Sequence, residues 1–267
     1  MANDYIARES QEWDEIIKSD KFYIEPADYA LSEWEYCEKQ HAIWREIHLR
    51  AIDLCGDMKG KRILDFGCGV GNMSIILAER GAKLLALDIS PEMIKRVKKR
   101  MAATTFYQHC DITYSAEPLE RCNLAGKFDI IFSGAVLHHI PEFEDLVMEF
   151  GQSLTEEGRL IFYEPCRNLV ADLIRQHGRY RCKGHVHEES PLEENHFRIL
   201  RKWFKSVNLI RYGIFSAITR YWFVDEPYLF NPLLWLDKMT KGRLLPWYAI
   251  GECSCFKKEQ LQNESAI

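Results

Sequence analysis

The chain has 267 residues, 47% hydrophobic and 28% charged; that balance supports a folded core of one to two domains and excludes wholesale disorder, collagen-like and coiled-coil architectures. Its 40 acids against 35 bases give a net charge of −5, without the basic excess of a general nucleic-acid binder, so a nucleic-acid partner is disfavoured. The longest approach to a membrane span, Tyr212 to Val224, is broken by Arg220, the opening MANDYIARESQEWDE has no apolar signal core, and the nine cysteines follow no framework spacing; a cytoplasmic setting with reduced thiols is expected.

Residues 1–27 read as a polar leader dotted with aromatics, and Asp28 to Cys55 as a long helix with Trp34, Cys37, His41, Trp44 and His48 at helical spacing, stopped by Gly56 and Gly60. Beyond residue 57 the texture changes. Strands are expected at 61–66, 83–88, 105–110, 127–133 and 158–164, with helices at 72–80, 91–101 and 142–154 between them. Strands alternating with helices imply βαβ units, a parallel sheet, and a ligand site at the carboxyl ends of the strands. After Pro165 a helical stretch over 167–204 carries a polar loop near 178–192, and further strands are expected at 206–212 and 247–256. Between these lies 213–246, an insertion rich in aromatics and prolines that reads as a cap over the strand ends. The organisation is thus an N-terminal helical extension (1–56), an α/β domain (57–257) and a polar tail (258–267).

The sharpest local feature is ILDFGCGVGN, residues 63–72, in which a strand ending at Asp65 runs into Gly67, Cys68, Gly69 and Gly71 directly before a helix. Glycines permit the tight turn and the close approach of a ligand to the main chain, and the helix start offers free N–H groups. A dinucleotide turn would need a third glycine where Asn72 stands. An acid one turn upstream would also repel a pyrophosphate but suits a ligand bearing an ammonium and a sulfonium. The second strand ends at Asp88, placed to accept hydrogen bonds from ribose hydroxyls, and the third is expected to end at Asp111-Ile112, a carboxylate and an apolar side chain for an adenine.

These segments, with LDISPEMI, FSGAVLHHI after strand four and GRLIFYEP at strand five, resemble the class I (seven-β-strand) S-adenosylmethionine-dependent methyltransferases, in particular the small-molecule branch of the ubiquinone/menaquinone type. The resemblance covers 60–165 well and 190–257 more loosely. It implies a Rossmann-like, doubly wound seven-stranded sheet with helices on both faces and an antiparallel last strand at 247–256. It also implies S-adenosyl-L-methionine as cofactor, with S-adenosyl-L-homocysteine as product. By it, Asp65 and the Gly67–Gly71 turn hold the methionine part, Asp88 the ribose, Ile89 and Met93 the adenine faces, Asp111 and Ile112 its edge, and Ser133 lies under the methionyl moiety.

His138 and His139, just after strand four, read as a candidate general base, or as one core histidine beside one that caps a loop. Glu164, ending strand five, either contacts substrate or is a buried acid accepting backbone N–H bonds. Cys182, His185 and His187, and Cys253 with Cys255, carry ligand-type atoms without the paired spacing of a zinc site, so no metal is expected. The basic run IKRVKKR at 94–100 reads as a solvated helix face or as a steering surface. The 213–246 aromatics either fill a core or face lipid, which leaves peripheral membrane contact open. The expected partner is a small, apolar or amphipathic acceptor, lipid-like ones included, with oxygen favoured as the acceptor atom. The competing readings are an RNA or protein methyltransferase, disfavoured because FSGAVLHH stands where an Asn-Pro-Pro-aromatic motif would, a non-catalytic S-adenosylmethionine binder, and a dehydrogenase.

Overall fold

Short apolar runs bounded by glycine turns form the strands, and amphipathic stretches between them form the helices. The computed structural model describes residues 2–18, 42–122, 124, 126–167, 191–213, 227–239 and 246–257. In chain order these hold α1 (Ala2–Lys18), α2 (Ala42–Cys55), β1 (Arg62–Phe66), α3 (Asn72–Glu79), β2 (Lys83–Leu87), α4 (Pro91–Ala103), β3 (Asp111–Ser115), β4 (Phe128–Gly134), α5 (Phe143–Ser153), β5 (Leu154–Pro165), α6 (Glu194–Trp203), β6 (Phe204–Gly213), α7 (Pro227–Met239) and β7 (Pro246–Phe256).

The strands make one sheet in the order β3-β2-β1-β4-β5-β7-β6. The first five pair in parallel, while β7 runs antiparallel to both β5 and β6. The order reverses between β1 and β4, so their following loops diverge and open a crevice at the carboxyl ends. Successive side chains alternate between faces. Ile63, Ala86, Phe132 and Ile161 pack beneath α2, α3 and α4, and Leu64, Ile131 and Phe162 pack against α5 and α6. Both faces are therefore covered, as a parallel sheet requires. Helix α4 is set by Ser90, whose Oγ accepts the Met93 N–H at 3.1 Å, with Pro91 in the first turn.

The structure departs from the sequence-based expectation at the third strand. The run TFYQHC is not a strand: Tyr107–His109 forms a 3-10 turn, and β3 begins only at Asp111, where the β-branched and aromatic ITYS follows. The expected N-terminal helical extension begins with α1, a 17-residue helix. Tyr5, Glu9, Trp13 and Ile16 recur on one helical face, and Glu9, Ile16 and Ile17 are buried. Polar bonds dock it on the start of α4. Ser10 Oγ donates to the Ile89 carbonyl at 2.7 Å, Asp14 Oδ1 accepts from Ser90 Oγ at 2.5 Å and from the Glu92 N–H at 3.2 Å, and Arg96 donates to the Ile17 carbonyl at 3.3 Å. Residues 28–41, 178–190, the tail 258–267 and all of 213–246 except Gly213, α7 and Pro246 lie outside the described residues.

Candidate active site

A cleft of about 770 Å³ lies over the carboxyl ends of β1, β2 and β4, in the upper part of the range of roughly 300–1,000 Å³ usual for small-molecule sites. Its floor is the glycine turn. The N–H groups of Gly67 and Cys68 donate to the Leu87 carbonyl at 2.8 and 2.9 Å, which ties the turn to the end of β2. Gly67 and Gly71 have φ of 67° and 82°. A Cβ on Gly67 would stand 2.4 Å from Val136 Cγ2, and one on Gly71 would stand 2.9 Å from Val97 Cγ1. Both positions require glycine on backbone and steric grounds together. Helix α3 starts immediately behind, at Gly71.

Two acids face this floor. Asp65, at the end of β1, is 2% exposed and accepts the Ser74 hydroxyl at 2.5 Å. Burial pushes its carboxyl up to about 7, with the Ser74 bond opposing and the Asp88 charge adding to the rise. Asp88, at the end of β2, accepts the Gly69 N–H on Oδ2 and the Ser90 N–H on Oδ1, each at 2.9 Å, so it closes the loop it faces. Burial raises it to about 6 against those two bonds. A pair of desolvated carboxylates of this kind is stabilised by a ligand that brings positive charge.

Arg100 completes the floor. It is 3% exposed, and its Nη1 donates to the Val70 carbonyl and to Asn72 Oδ1, both at 2.6 Å. Read as part of a solvated basic face, it is instead an internal brace for the glycine turn. Its signal was its register, since it falls on the buried stripe of Met93, Val97 and Met101.

Gly67, Cys68, Gly69, Asp65, Asp88, Ile89 and Met93 all line the cleft. Gly71 shapes it from behind. Asp111 and Ile112 do not reach it: Asp111 opens β3 opposite Lys83, whereas the Asp88 N–H bonds the Ser115 carbonyl at the other end of that strand. Four residues at ~3.3 Å each put Asp111 roughly 13 Å from the mouth. The shifted strand start is the reason, and Pro118 and Leu119 line the cleft beyond β3 in their place. Ser133 is fully buried in register with Phe66 and Phe162, and its neighbours Phe132 and Gly134 reach the cleft instead.

The histidine pair divides. His138 is 8% exposed, and its Nδ1 lies 2.7 Å from Glu164 Oε2. The other carboxyl oxygen of Glu164, itself fully buried, accepts the N–H groups of Val136 and Leu137, both at 2.8 Å. Glu164 is therefore the buried acid of the two readings, not a substrate contact: it clamps the 136–138 loop from below. His139 lines the cleft, its ring 4.1 Å from that of His138 and edge-on to Trp13 at 5.6 Å, while its carbonyl accepts the Tyr5 hydroxyl. Helix α1 thus forms one wall, with Tyr5, Glu9 and Trp13 in the lining.

The far wall is aromatic, and nothing local in the sequence marks it as part of the site. Trp44 and His48, one turn apart on α2, stack at 5.7 Å, and the Tyr163 ring lies 5.2 Å from His48. All three line the cleft beside Phe132. Burial lowers the His48 imidazole to about 4, so it is neutral at physiological pH. The Trp44/His48 spacing was visible in the sequence; its proximity to Tyr163, 115 positions beyond His48, was not. Among the described residues no three His, Cys, Asp or Glu side chains converge on a metal position, and Cys182, His185 and His187 lie outside them.

A family model described as a methyltransferase domain matches residues 36–209. The malonyl-[acyl-carrier protein] O-methyltransferase of Hamiltonella defensa is 27% identical over 157 residues, 59% of this chain and 58% of that one. The mitochondrial ubiquinone biosynthesis O-methyltransferase of Schizosaccharomyces pombe is 27% identical over 179 residues, 63% of each chain. The chain thus spans about three-fifths of the length of these curated relatives. Among solved structures, the magnesium protoporphyrin IX methyltransferase of Synechocystis PCC 6803 with bound SAH shares the fold at a TM-score of 0.53 and 17% identity, over 94% of this chain and 99% of that one.

Proposed function

This chain belongs to the methyltransferase-domain family, of the class I S-adenosylmethionine-dependent type, and on that premise we propose that it transfers a methyl group to a small apolar or amphipathic acceptor, with oxygen favoured as the acceptor atom. The observation that carries the reading is the pair of buried acids, Asp65 and Asp88, set around a turn in which Gly67 and Gly71 admit no side chain. The cofactor, S-adenosyl-L-methionine, supplies a methyl on an already activated sulfonium carbon and leaves as S-adenosyl-L-homocysteine. We assign Asp65 and the Gly67–Gly71 turn to its cationic methionine part, Asp88 to the ribose, and Ile89, Met93 and Leu119 to the adenine.

The protein's remaining task is to hold the acceptor in line and to exclude water. Trp44, Phe132 and Tyr163 give the far half of the cleft an apolar surface suited to a flat or amphipathic molecule. His139 at the mouth is the imidazole placed to take a hydroxyl proton there; burial makes His48 a poor base, so it serves as wall, and His138 is committed to Glu164. Relatives named as ubiquinone biosynthesis and malonyl-[acyl-carrier protein] O-methyltransferases support oxygen as the acceptor atom. The seven described cysteines are all unpaired, which supports a reducing, cytoplasmic setting.

The test is transfer of a labelled methyl from S-adenosyl-L-methionine into host-cell extract, followed by separation into organic, aqueous and macromolecular fractions. Label in the organic fraction is expected. Label confined to protein or RNA overturns the small-molecule reading.

A further inference from the structure

Helix α7 has an inner and an outer side. Leu234 and Asp237 are turned inward, 6% and 1% exposed, and Leu234 joins the core that holds Tyr212 and Tyr248. The outer side carries Pro232, Trp235, Leu236 and Met239, all exposed. Their i, i+3, i+4, i+7 spacing makes one continuous stripe. Trp235 is 58% and Met239 65% exposed, which is unusual for the largest apolar side chains of a helix already packed on its other side. The only carboxylate of the helix, Asp237, is buried away from this side, whereas Lys238 stands beside the stripe, 61% exposed and 3.5 Å from Glu46.

We infer that α7 is a membrane-surface element, which seats Trp235, Leu236 and Met239 in the headgroup–acyl boundary of an anionic bilayer with Lys238 toward the lipid phosphates. An exposed tryptophan on an apolar face, flanked by lysine and with the helix's own acid, Asp237, buried, matches the chemistry of that boundary. A second copy of the chain matches it less well. The stripe spans about 10 Å of helix and one row of side chains, far below the ~800 Å² per partner that a stable dimer buries. The helix also adjoins the acceptor half of the cleft: Lys238 pairs with Glu46 on α2, the helix that carries Trp44 and His48, and Tyr248 lies 4.9 Å from Trp44. A chain resting on α7 would hold that half of the cleft near the lipid. The inference goes beyond the methyltransferase reading and stands without it, because lipid binding reports on the helix and methyl transfer on the cleft.

The test is flotation of the full chain with phosphatidylcholine vesicles and with vesicles containing phosphatidylglycerol. The wild-type chain is expected to float with the anionic vesicles and to dissociate in high salt. The variant Trp235→Ser/Met239→Ser is expected to lose at least tenfold in partitioning while keeping its helical circular dichroism and its affinity for S-adenosyl-L-homocysteine. Lys238→Glu, tested separately, should weaken binding severalfold on anionic vesicles only. Failure of the wild-type chain to float, or equal flotation of the double variant, overturns the inference. So does a dimer, detected by light scattering, that the double variant dissociates, since that gives the face to a second copy.

Discussion

The two halves of the cleft are built in opposite ways. The half beneath β1 and β2 is made of backbone turns and acids held by short hydrogen bonds, and nearly all of it lies between Asp65 and Met93. The half beneath α1, α2 and Tyr163 is made of aromatic rings from segments more than a hundred positions apart. The first kind of site is rigid because its groups are hydrogen-bonded to one another across one βαβ unit. The second is defined by packing alone, and its shape follows whatever the helices bring. One half therefore tolerates almost no substitution and serves one ligand, while the other can be rebuilt for a new acceptor without disturbing the first.

The strongest test of that division is Gly67→Ala. Its methyl would overlap Val136, and φ of 67° disfavours a side chain. A fall in affinity for S-adenosyl-L-homocysteine of at least 100-fold is expected by calorimetry, about 2.7 kcal/mol, with a partial return in Gly67→Ala/Val136→Ala. Undiminished affinity would mean that the turn is soft. Asp88→Ala should follow, with a 30- to 100-fold loss for S-adenosyl-L-methionine, because it removes both the ribose acceptor and the bonds that close the loop through Gly69 and Ser90. Unchanged affinity would overturn the ribose assignment.

Asp65 separates stability from function. Its carboxyl stands at about 7 in the fold against an ordinary 3.8, so the folded chain binds its proton more tightly than the unfolded chain does. The ligand-free protein should gain stability from this group as pH falls from about 7 toward about 4, while affinity for the cationic cofactor falls over the same interval. Asp65→Asn is expected to flatten both trends, to raise the melting temperature at pH 8 by about 5 °C, and to weaken cofactor binding roughly tenfold. Parallel melting and titration series across pH 5–8 check the two signs independently.

How much was legible follows the same division. Asp65, the glycines and Asp88 were readable because their chemistry depends on spacing within one βαβ unit. Asp111 was misplaced because the end of a strand depends on which of two adjacent runs wins the pairing with β2, and ITYS outcompeted TFYQHC. Arg100 reads as surface because a charge on a helix says nothing of its depth until its register with Met93 and Val97 is followed. Glu164 sat at the right strand end, yet the loop it binds curls over it, so its carboxylate met N–H groups instead of solvent. The aromatic wall was the least legible, since no local pattern ties Trp44 to Tyr163. The helical extension at the N-terminus is legible, but the part of α1 in the cleft wall is not, because its apolar residues are diluted by acids that are hydrogen-bonded in the fold, such as Glu9 to Tyr5 and Trp13.

The smallest expected effect is the one that bears most directly on the division. Tyr163 touches His48, Trp44 and Phe132 by ring contact, and a Cβ on Gly134 would stand 2.5 Å from its hydroxyl. Tyr163→Phe keeps the ring and removes only that oxygen, so the packing of the wall should survive. If the halves are independent, affinity for S-adenosyl-L-homocysteine should stay within twofold of wild type. The rate of label transfer into the organic fraction should change by a factor of about three to ten, because only the acceptor's surroundings have altered. Trp44→Leu extends the same test to bulk. A cofactor affinity that dropped with either change would show that the aromatic wall helps to shape the glycine turn and that the two halves are one structure.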